Sequence, residues 1–508
     1  MSARRSRILA ATLLLTASAS AQAPPKELKG FDAWATKALS DWRVPGMAVA
    51  VVRNDSVIFA KGYGVRALGA PDPITSHSLF QVASTTKAMT AAVIGMLVDE
   101  KKLRWDDAVT QHLPGFQLFD PNVTRELTIR DLLTHRSGLA RGDQLWYRTT
   151  LPRAEVIRRV RFLAPAWPVR SQYGYQNIMY LTAGELAGTV AKQSWDDLMQ
   201  ARLFGPLGMT ETGTRFADAV RASDRAMPHA DIDDTLRLLE WRDFDNVGGA
   251  GATNSTVLDM AKWARFQLDS GRVNGRRLLS AASYAESHTS QMFQRVDTAA
   301  RRVNPFRHYA TYGFGWTLMD YRGREVVQHG GNLDGFSSMV ATMPEERLGV
   351  VILTNANGTP LRDVAMYELF DRLLNATPAR DWSAVYLAER ARGRVRTDSV
   401  RKARLAERVM GTTPALALEK FAGVYTDSLY GDYAVAFESG ALVLRRGPNF
   451  TGRLSHWHYN TFEVKWADVA QGTSTATFSL GANGRVARLE LDGLPPLRRR
   501  PDAPPPAR

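Results

Sequence analysis

A serine and a lysine stand three residues apart at the head of an apolar run: Ser84-Thr85-Thr86-Lys87, then Ala88 to Val98. Residues at i and i+3 share one helix face, so the hydroxyl and the amine can meet within a single turn. A hydroxyl attacks a carbonyl only when something takes its proton. A lysine held away from water can do so, because desolvation disfavours its charged form. The following run is apolar nearly all round, which predicts a buried helix. Ser84 falls at its N-terminus, where the backbone dipole favours developing negative charge. Alone, Ser-x-x-Lys is weak: about one match is expected by chance in such a chain. A second match, Ser399-Val400-Arg401-Lys402, lies in an arginine-rich stretch without an apolar flank and reads as solvated helix.

Two further signals follow in order: Tyr175-Gln176-Asn177, the only Tyr-x-Asn of the chain, and His329-Gly330-Gly331, the only His-x-Gly, directly after the strand-like Glu325 to Gln328. Together with Ser84-Thr85-Thr86-Lys87 these resemble the three motifs of the serine β-lactamase and penicillin-binding-protein superfamily, in the branch holding class C β-lactamases, D-aminopeptidases and related esterases. Leu132-Leu133-Thr134-His135-Arg136-Ser137-Gly138-Leu139, Asp259-Met260-Ala261-Lys262-Trp263 and Tyr312-Gly313-Phe314-Gly315-Trp316 are similar to stretches of that branch. The resemblance runs from about Leu28 to Leu374.

The chemistry and the resemblance together imply roles. Ser84 Oγ attacks an ester or amide carbonyl, and Lys87 takes or relays its proton. Tyr175 is the partner base that then protonates the leaving group. Which of Lys87 and Tyr175 is the base is left open by the sequence. Asn177 bonds Lys87 and the substrate amide, and the backbone N–H groups of Ser84 and Asn332 form an oxyanion hole. Gly330 and Gly331 let the strand edge approach the substrate backbone. The lysine that usually opens the third motif is replaced by His329, largely neutral at pH 7. That argues against strong β-lactam hydrolysis and for ester or aminopeptidase-type chemistry. No Gly-x-Ser-x-Gly elbow is present, which argues against an α/β-hydrolase. The expectation is an exported serine hydrolase acting through an acyl-enzyme on a small amide or ester. Its alternatives are a β-lactamase or D,D-carboxypeptidase acting on cell-wall peptides, and a silent binding protein of the same fold. This chemistry requires no metal or organic cofactor.

The elements that must position these residues follow from patterning over 508 residues, 44% of them hydrophobic. Arg4, Arg5 and Arg7, an apolar stretch from Ile8 to Leu15 and Ala21-Gln22-Ala23 read as a secretory leader over residues 1–23. No later run is long enough to span a bilayer, so a secreted or periplasmic protein is expected. Cysteine is absent, which excludes disulfides and thiol chemistry. The net charge of +14 owes much to arginines between Arg390 and Arg408 and at Arg498-Arg499-Arg500. Without interleaved aromatics these do not read as a nucleic-acid surface.

Strands at both ends and helices between predict an α+β domain over 28–378, an antiparallel sheet flanked by helices with a helical subdomain. Met47 to Val52 and Ser56 to Ala60 read as its first hairpin, Gly248 to Thr253 as a glycine-rich loop, and Ser255 to Leu268 as a helix capped by Ser255. Tyr312 to Met319 reads as one strand. A charged helical linker is expected over 379–412, then a small antiparallel β-barrel-like domain over 413–497, similar to the lipocalin-like barrels of some family members. It offers a surface for homo-oligomerisation. A disordered tail is expected over 498–508. His456 and His458, and the aspartates at 231, 233 and 234, lack the further ligands of a metal site and read as plain surface.

Overall fold

The computed structural model describes residues 25–501, and the expected leader lies outside them. Helix α1 (Phe31–Trp42) places Phe31, Ala35, Ala38, Leu39 and Trp42 on one buried stripe and ends at Arg43 in the left-handed region. The chain then enters β1 (Gly46–Arg53) and turns into β2 (Ser56–Gly64). Met47, Val49 and Val51 face one hydrophobic cluster and Ala48, Ala50 and Val52 the other. A strand buried on both faces needs no polar alternation, so it reads as an unbroken apolar run. Each fully buried Val contributes about 1.5–3 kcal/mol.

Helix α2 (Thr86–Asp99), α3 (Asn177–Ala191) and α4 (Val257–Leu268) cover one face of the molecule. The chain returns through β3 (Met292–Phe293), β4 (Ala310–Tyr312), β5 (Thr317–Tyr321), β6 (Arg324–Leu333), β7 (Phe336–Met343) and β8 (Leu348–Thr354). These make one antiparallel sheet in the order β2-β1-β8-β7-β6-β5-β4-β3. Helix α5 (Leu361–Leu373) packs with α1 on the face opposite α2 and α4. The charged α6 (Trp382–Ala406) leads to a closed barrel of eight strands. They are β9 (Gly423–Asp427), β10 (Gly431–Glu438), β11 (Ala441–Arg446), β12 (Phe450–His458), β13 (Thr461–Trp466), β14 (Thr473–Leu480), β15 (Val486–Leu491) and β16 (Leu497–Arg499).

Four local expectations are corrected. The cap of α4 is Thr256, whose side chain accepts from the Asp259 N–H, while Ser255 pairs with Phe80 in a short ladder. The run from Tyr312 to Met319 is two strands, broken at Gly315. There φ is +78°, and a Cβ would lie 2.5 Å from the backbone of Ala88, so the break lets α2 reach the sheet. The expected tail begins too early, because Leu497–Arg499 closes the barrel against β9 and β15. The barrel also contains β12 over the whole of Phe450–His458, where the sequence marked only the face carrying His456 and His458 as strand. His456 and His458 are bonded locally: His456 Nε2 lies 2.9 Å from the Tyr459 carbonyl, and His458 Nδ1 accepts from the Val409 N–H at 3.2 Å.

The barrel docks beside the end of β6. Asp334, just after that strand, accepts from Arg148 Nη2 at 2.8 Å and from the Tyr147 hydroxyl at 2.7 Å. Asp468 of the barrel pairs with Arg148 and Arg242, and Arg242 also pairs with Asp334 at 2.9 Å. The Arg148 side chain is only 1% exposed, so it needs these carboxylates.

Candidate active site

Ser84 sits in a short 3-10 turn, Ala83–Thr85, that runs straight into α2. Ala83 takes φ +51°, a conformation that costs a residue with a Cβ about 1 kcal/mol or more. The turn is over-determined. Thr85 and Thr86 hydroxyls donate to the carbonyls of Val82 at 2.9 Å and Ala83 at 2.6 Å, and Ser338 Oγ donates to Val82 O at 2.7 Å. Gly331 of β6 makes this contact possible, since a Cβ there would lie 2.3 Å from Val82 O. Gly330 faces the other way, toward the Arg362 guanidinium. The two glycines thus serve packing of the strand, where the sequence pointed to close approach of a substrate.

Lys87 is fully buried as the second residue of α2, one turn after Ser84. Its Nζ lies 2.8 Å from Asn177 Oδ1, 2.7 Å from the Ala250 carbonyl and 3.1 Å from Ser84 Oγ. Burial drives its pKa well down, Asp143 opposes this and Arg141 adds to it. In its neutral form, which burial favours, the amine has two N–H bonds and one lone pair. Two oxygens that can only accept take the N–H bonds, which leaves the lone pair for the Ser84 hydroxyl.

Tyr175 closes the group, its hydroxyl donating to Ser84 Oγ at 2.7 Å. Burial pushes that phenol up to about 12, against the opposing effects of Ser84 and Arg141. It therefore enters as a hydroxyl donor rather than a phenolate. Ser84 Oγ is thus within hydrogen-bond distance of both the Tyr175 hydroxyl and Lys87 Nζ, and a neutral Lys87 would be placed to accept the serine proton.

Asn177 opens α3, where the Gln176 side chain caps the Ile178 N–H at 2.9 Å. Its Nδ2 donates to Asp143 Oδ1 at 3.0 Å, which fixes the amide with oxygen toward Lys87. His329 is 6% exposed. Its Nδ1 lies 2.7 Å from the Gly330 carbonyl and its Nε2 3.0 Å from the Tyr312 hydroxyl. A carbonyl only accepts, so Nδ1 carries the proton and Nε2 accepts. Burial and Lys87 push its pKa to about 3, so the ring is neutral. With both nitrogens engaged, His329 stands as a neutral ring 6.5 Å from the Tyr175 ring. The Asn332 side chain accepts from Ser337 Oγ at 2.8 Å, which leaves its backbone amide as the candidate donor.

The structure adds groups the sequence reading missed. The Ala250 carbonyl left no trace because it belongs to backbone, although the glycine-rich loop holding it was visible. Gly248 takes φ +39° there and Gly249 O accepts from Thr90 at 2.9 Å, fixing the loop against α2. Asp143 also accepts from Trp146 Nε1 at 2.9 Å and Arg141 Nε at 2.5 Å. The Arg141 guanidinium lies 5.1 Å from the Tyr175 ring. His135 packs tilted against Tyr175 with ring centres 4.3 Å apart, takes the Gln176 N–H on Nδ1 at 3.1 Å and the Gly174 N–H on its carbonyl at 2.8 Å.

Against the Beta-lactamase family model, residues 31–373 match, a span that takes in the serine, both tyrosine–asparagine partners and the histidine strand. The chain belongs to that family. Residues 407–502 match a domain of unknown function, DUF3471, which coincides with the barrel. An unguisins hydrolase of Aspergillus violaceofuscus is 32% identical over 69% of this chain and 66% of its own length. The chain thus spans just under two thirds of that relative. Penicillin-binding protein 4 of Amycolatopsis lactamdurans is 32% identical over 64% of this chain and 83% of its own. The octameric penicillin-binding protein homologue from Pyrococcus abyssi superimposes with a TM-score of 0.63 at 20% identity, covering 91% of this chain and 98% of that one. The last comparison speaks to the fold. Membership makes the chain a β-lactamase and penicillin-binding-protein-like protein, a group whose hydrolases work through a serine nucleophile.

Proposed function

We propose that this family member is an exported hydrolase that forms an acyl-enzyme on Ser84 with a small amide or ester, peptides containing D-residues being the first class to test. One observation carries the reading: Ser84 Oγ sits 2.7 Å from the Tyr175 hydroxyl and 3.1 Å from Lys87 Nζ. In this mechanism the Ser84 proton passes to Lys87 as Oγ adds to the carbonyl. The backbone N–H groups of Ser84 and Asn332 receive the oxyanion, a donor of this type being worth about 3 kcal/mol. Tyr175 gives its proton to the leaving group and recovers one from the protonated Lys87 amine, whose Nζ lies 4.8 Å from the Tyr175 ring centre, while Ser84 Oγ is held in the acyl ester. Water then reverses the sequence to release the acid. The remaining Asn177 N–H holds the substrate amide.

The neutral, internally bonded His329 favours substrates without a carboxylate to clamp at that position. A second reading, β-lactamase or D,D-carboxypeptidase, draws on the relative named as a penicillin-binding protein and on Arg141, a cation over the Tyr175 ring that could meet a carboxylate. Turnover of p-nitrophenyl acetate and D-amino-acid amides beside nitrocefin separates the two. We expect the ester or amide to dominate; nitrocefin cleavage without ester or amide turnover would reverse the ranking. Fluorophosphonate labelling with peptide mapping should mark Ser84, and folded protein left unlabelled there would favour a silent binder. Self-association through the barrel is a further proposal, read by light scattering on the full chain.

A further inference from the structure

A second polar cavity lies away from the serine, where β9, β10 and β11 of the barrel meet the hydrolase domain. It has a volume of about 420 Å³ and is lined by Arg158 and Arg159 from one side and by Asp427, Asp432, Arg446 and Arg500 from the other, Asp427 accepting from the Leu429 and Tyr430 N–H groups. Arg446 is 7% exposed. Its Nη1 donates to the Gln144 carbonyl at 2.6 Å and its Nη2 to the Tyr430 carbonyl at 3.2 Å. The rings of Tyr430, Tyr433 and Phe450 lie 5.2 to 5.9 Å from the guanidinium carbon. Among the described residues no carboxylate pairs with it. A buried guanidinium held by neutral groups alone is a costly arrangement.

The other cations do not relieve it. Arg159 crosses the interface: its Nη1 lies 2.7 Å from where a Cβ on Gly431 would stand, one residue from the Tyr430 carbonyl that holds Arg446. Arg158 and Arg159 share a single carboxylate, Glu155, at 2.6 Å each. Arg500 pairs with Asp432 at 2.9 Å at the rim. Burial and the charge of Arg159 both work against the charged form of Arg446. The walls therefore hold more positive than negative charge, concentrated at two arginines contributed by different domains.

We propose that this cavity is an oxyanion site, taking the carboxylate or phosphate group of a small ligand between Arg446 and Arg159. Guanidinium forks match both groups through paired N–H donors. The ligand supplies the missing countercharge and bridges the two domains, so binding stabilises their packing by linkage. The inference is independent of the chemistry at Ser84.

The test uses the full chain, with inorganic phosphate and succinate titrated separately at constant ionic strength, sodium chloride making up the balance. Thermal unfolding is followed. The expected result is a saturable rise in Tm with at least one of the two, absent with chloride. Response to phosphate alone assigns a phosphate ligand, and response to succinate alone a carboxylate. Arg159→Gln keeps the fold by circular dichroism and weakens the apparent affinity about tenfold or more, one charge-assisted hydrogen bond. Arg500→Gln, at the rim, reduces it less and guards against misfolding of the first variant. No saturable rise with either anion, or an unchanged rise in folded Arg159→Gln, overturns the proposal.

Discussion

Replacing Lys87 by methionine separates two effects that the native side chain combines. An unfolded lysine stays protonated to about pH 10.4, while the buried amine loses its proton well below that. Between those limits unfolding takes up a proton, so native stability rises with pH. Lys87→Met has no such titration. We expect urea unfolding to find the variant more stable than the native chain at pH 7, the gap closing toward about pH 10, while ester turnover falls about a thousandfold. If Lys87 is the base, native kcat/KM climbs on the acidic side as the amine deprotonates and then stays level through about pH 10, because Tyr175 is held up at about 12. An alkaline limb tracking a phenol near its ordinary value would contradict this geometry. The motif residues were legible because Ser84, Lys87, Tyr175 and Asn177 act through side chains at short, fixed spacings. Asp143 and the Ala250 carbonyl act through distant chain or backbone and carry no such spacing, and the engagement of His329 by Tyr312 depends on a neighbouring strand.

At the level of elements, the hydrolytic geometry depends on how closely β6 lies against the turn before α2. Gly331→Ala puts a methyl 2.3 Å from both Val82 O and Ser338 Oγ. Neither backbone nor a hydrogen-bonded serine yields cheaply, so we expect a loss of about 1–3 kcal/mol in chemical unfolding, with turnover falling further than stability. Gly330→Ala meets the end of a flexible arginine instead and should cost less in both assays. At α4, Thr256→Ala removes the observed cap and should cost about 1 kcal/mol, while Ser255→Ala leaves that cap intact; thermal unfolding of the pair checks the corrected boundary. The hairpin of β1 and β2 was readable from Asn54-Asp55 and an apolar run. The division at Gly315 was not, since a glycine needed for close approach of α2 looks in sequence like any glycine in a strand. Strand β12 was legible only around His456 and His458, because the alternation before them mixes arginine and serine with few apolar residues, and β16 escaped because three residues of a basic tail become a strand only when a barrel supplies two neighbours.

For the molecule as a whole, Arg148 and Arg242 tie the barrel to the end of β6 through Asp334 and Asp468. Asp468→Ala leaves a guanidinium that is 1% exposed with one carboxylate fewer, and we expect a loss of about 3 kcal/mol in urea unfolding, with a smaller loss for Asp468→Asn. The sheet order carries a kinetic consequence. Val49 of β1 pairs with Ile352 of β8, second and third in the sheet order, so the first hairpin waits for nearly the whole hydrolase domain to be synthesised before its inner edge is covered. Loop closure over such a separation makes folding slow, and refolding from urea should show a late phase reporting on β1 and β8. Were the chain exported as an extended thread, as proposed above, that delay would give the polypeptide time to reach the translocation machinery before β1 and β8 zip together.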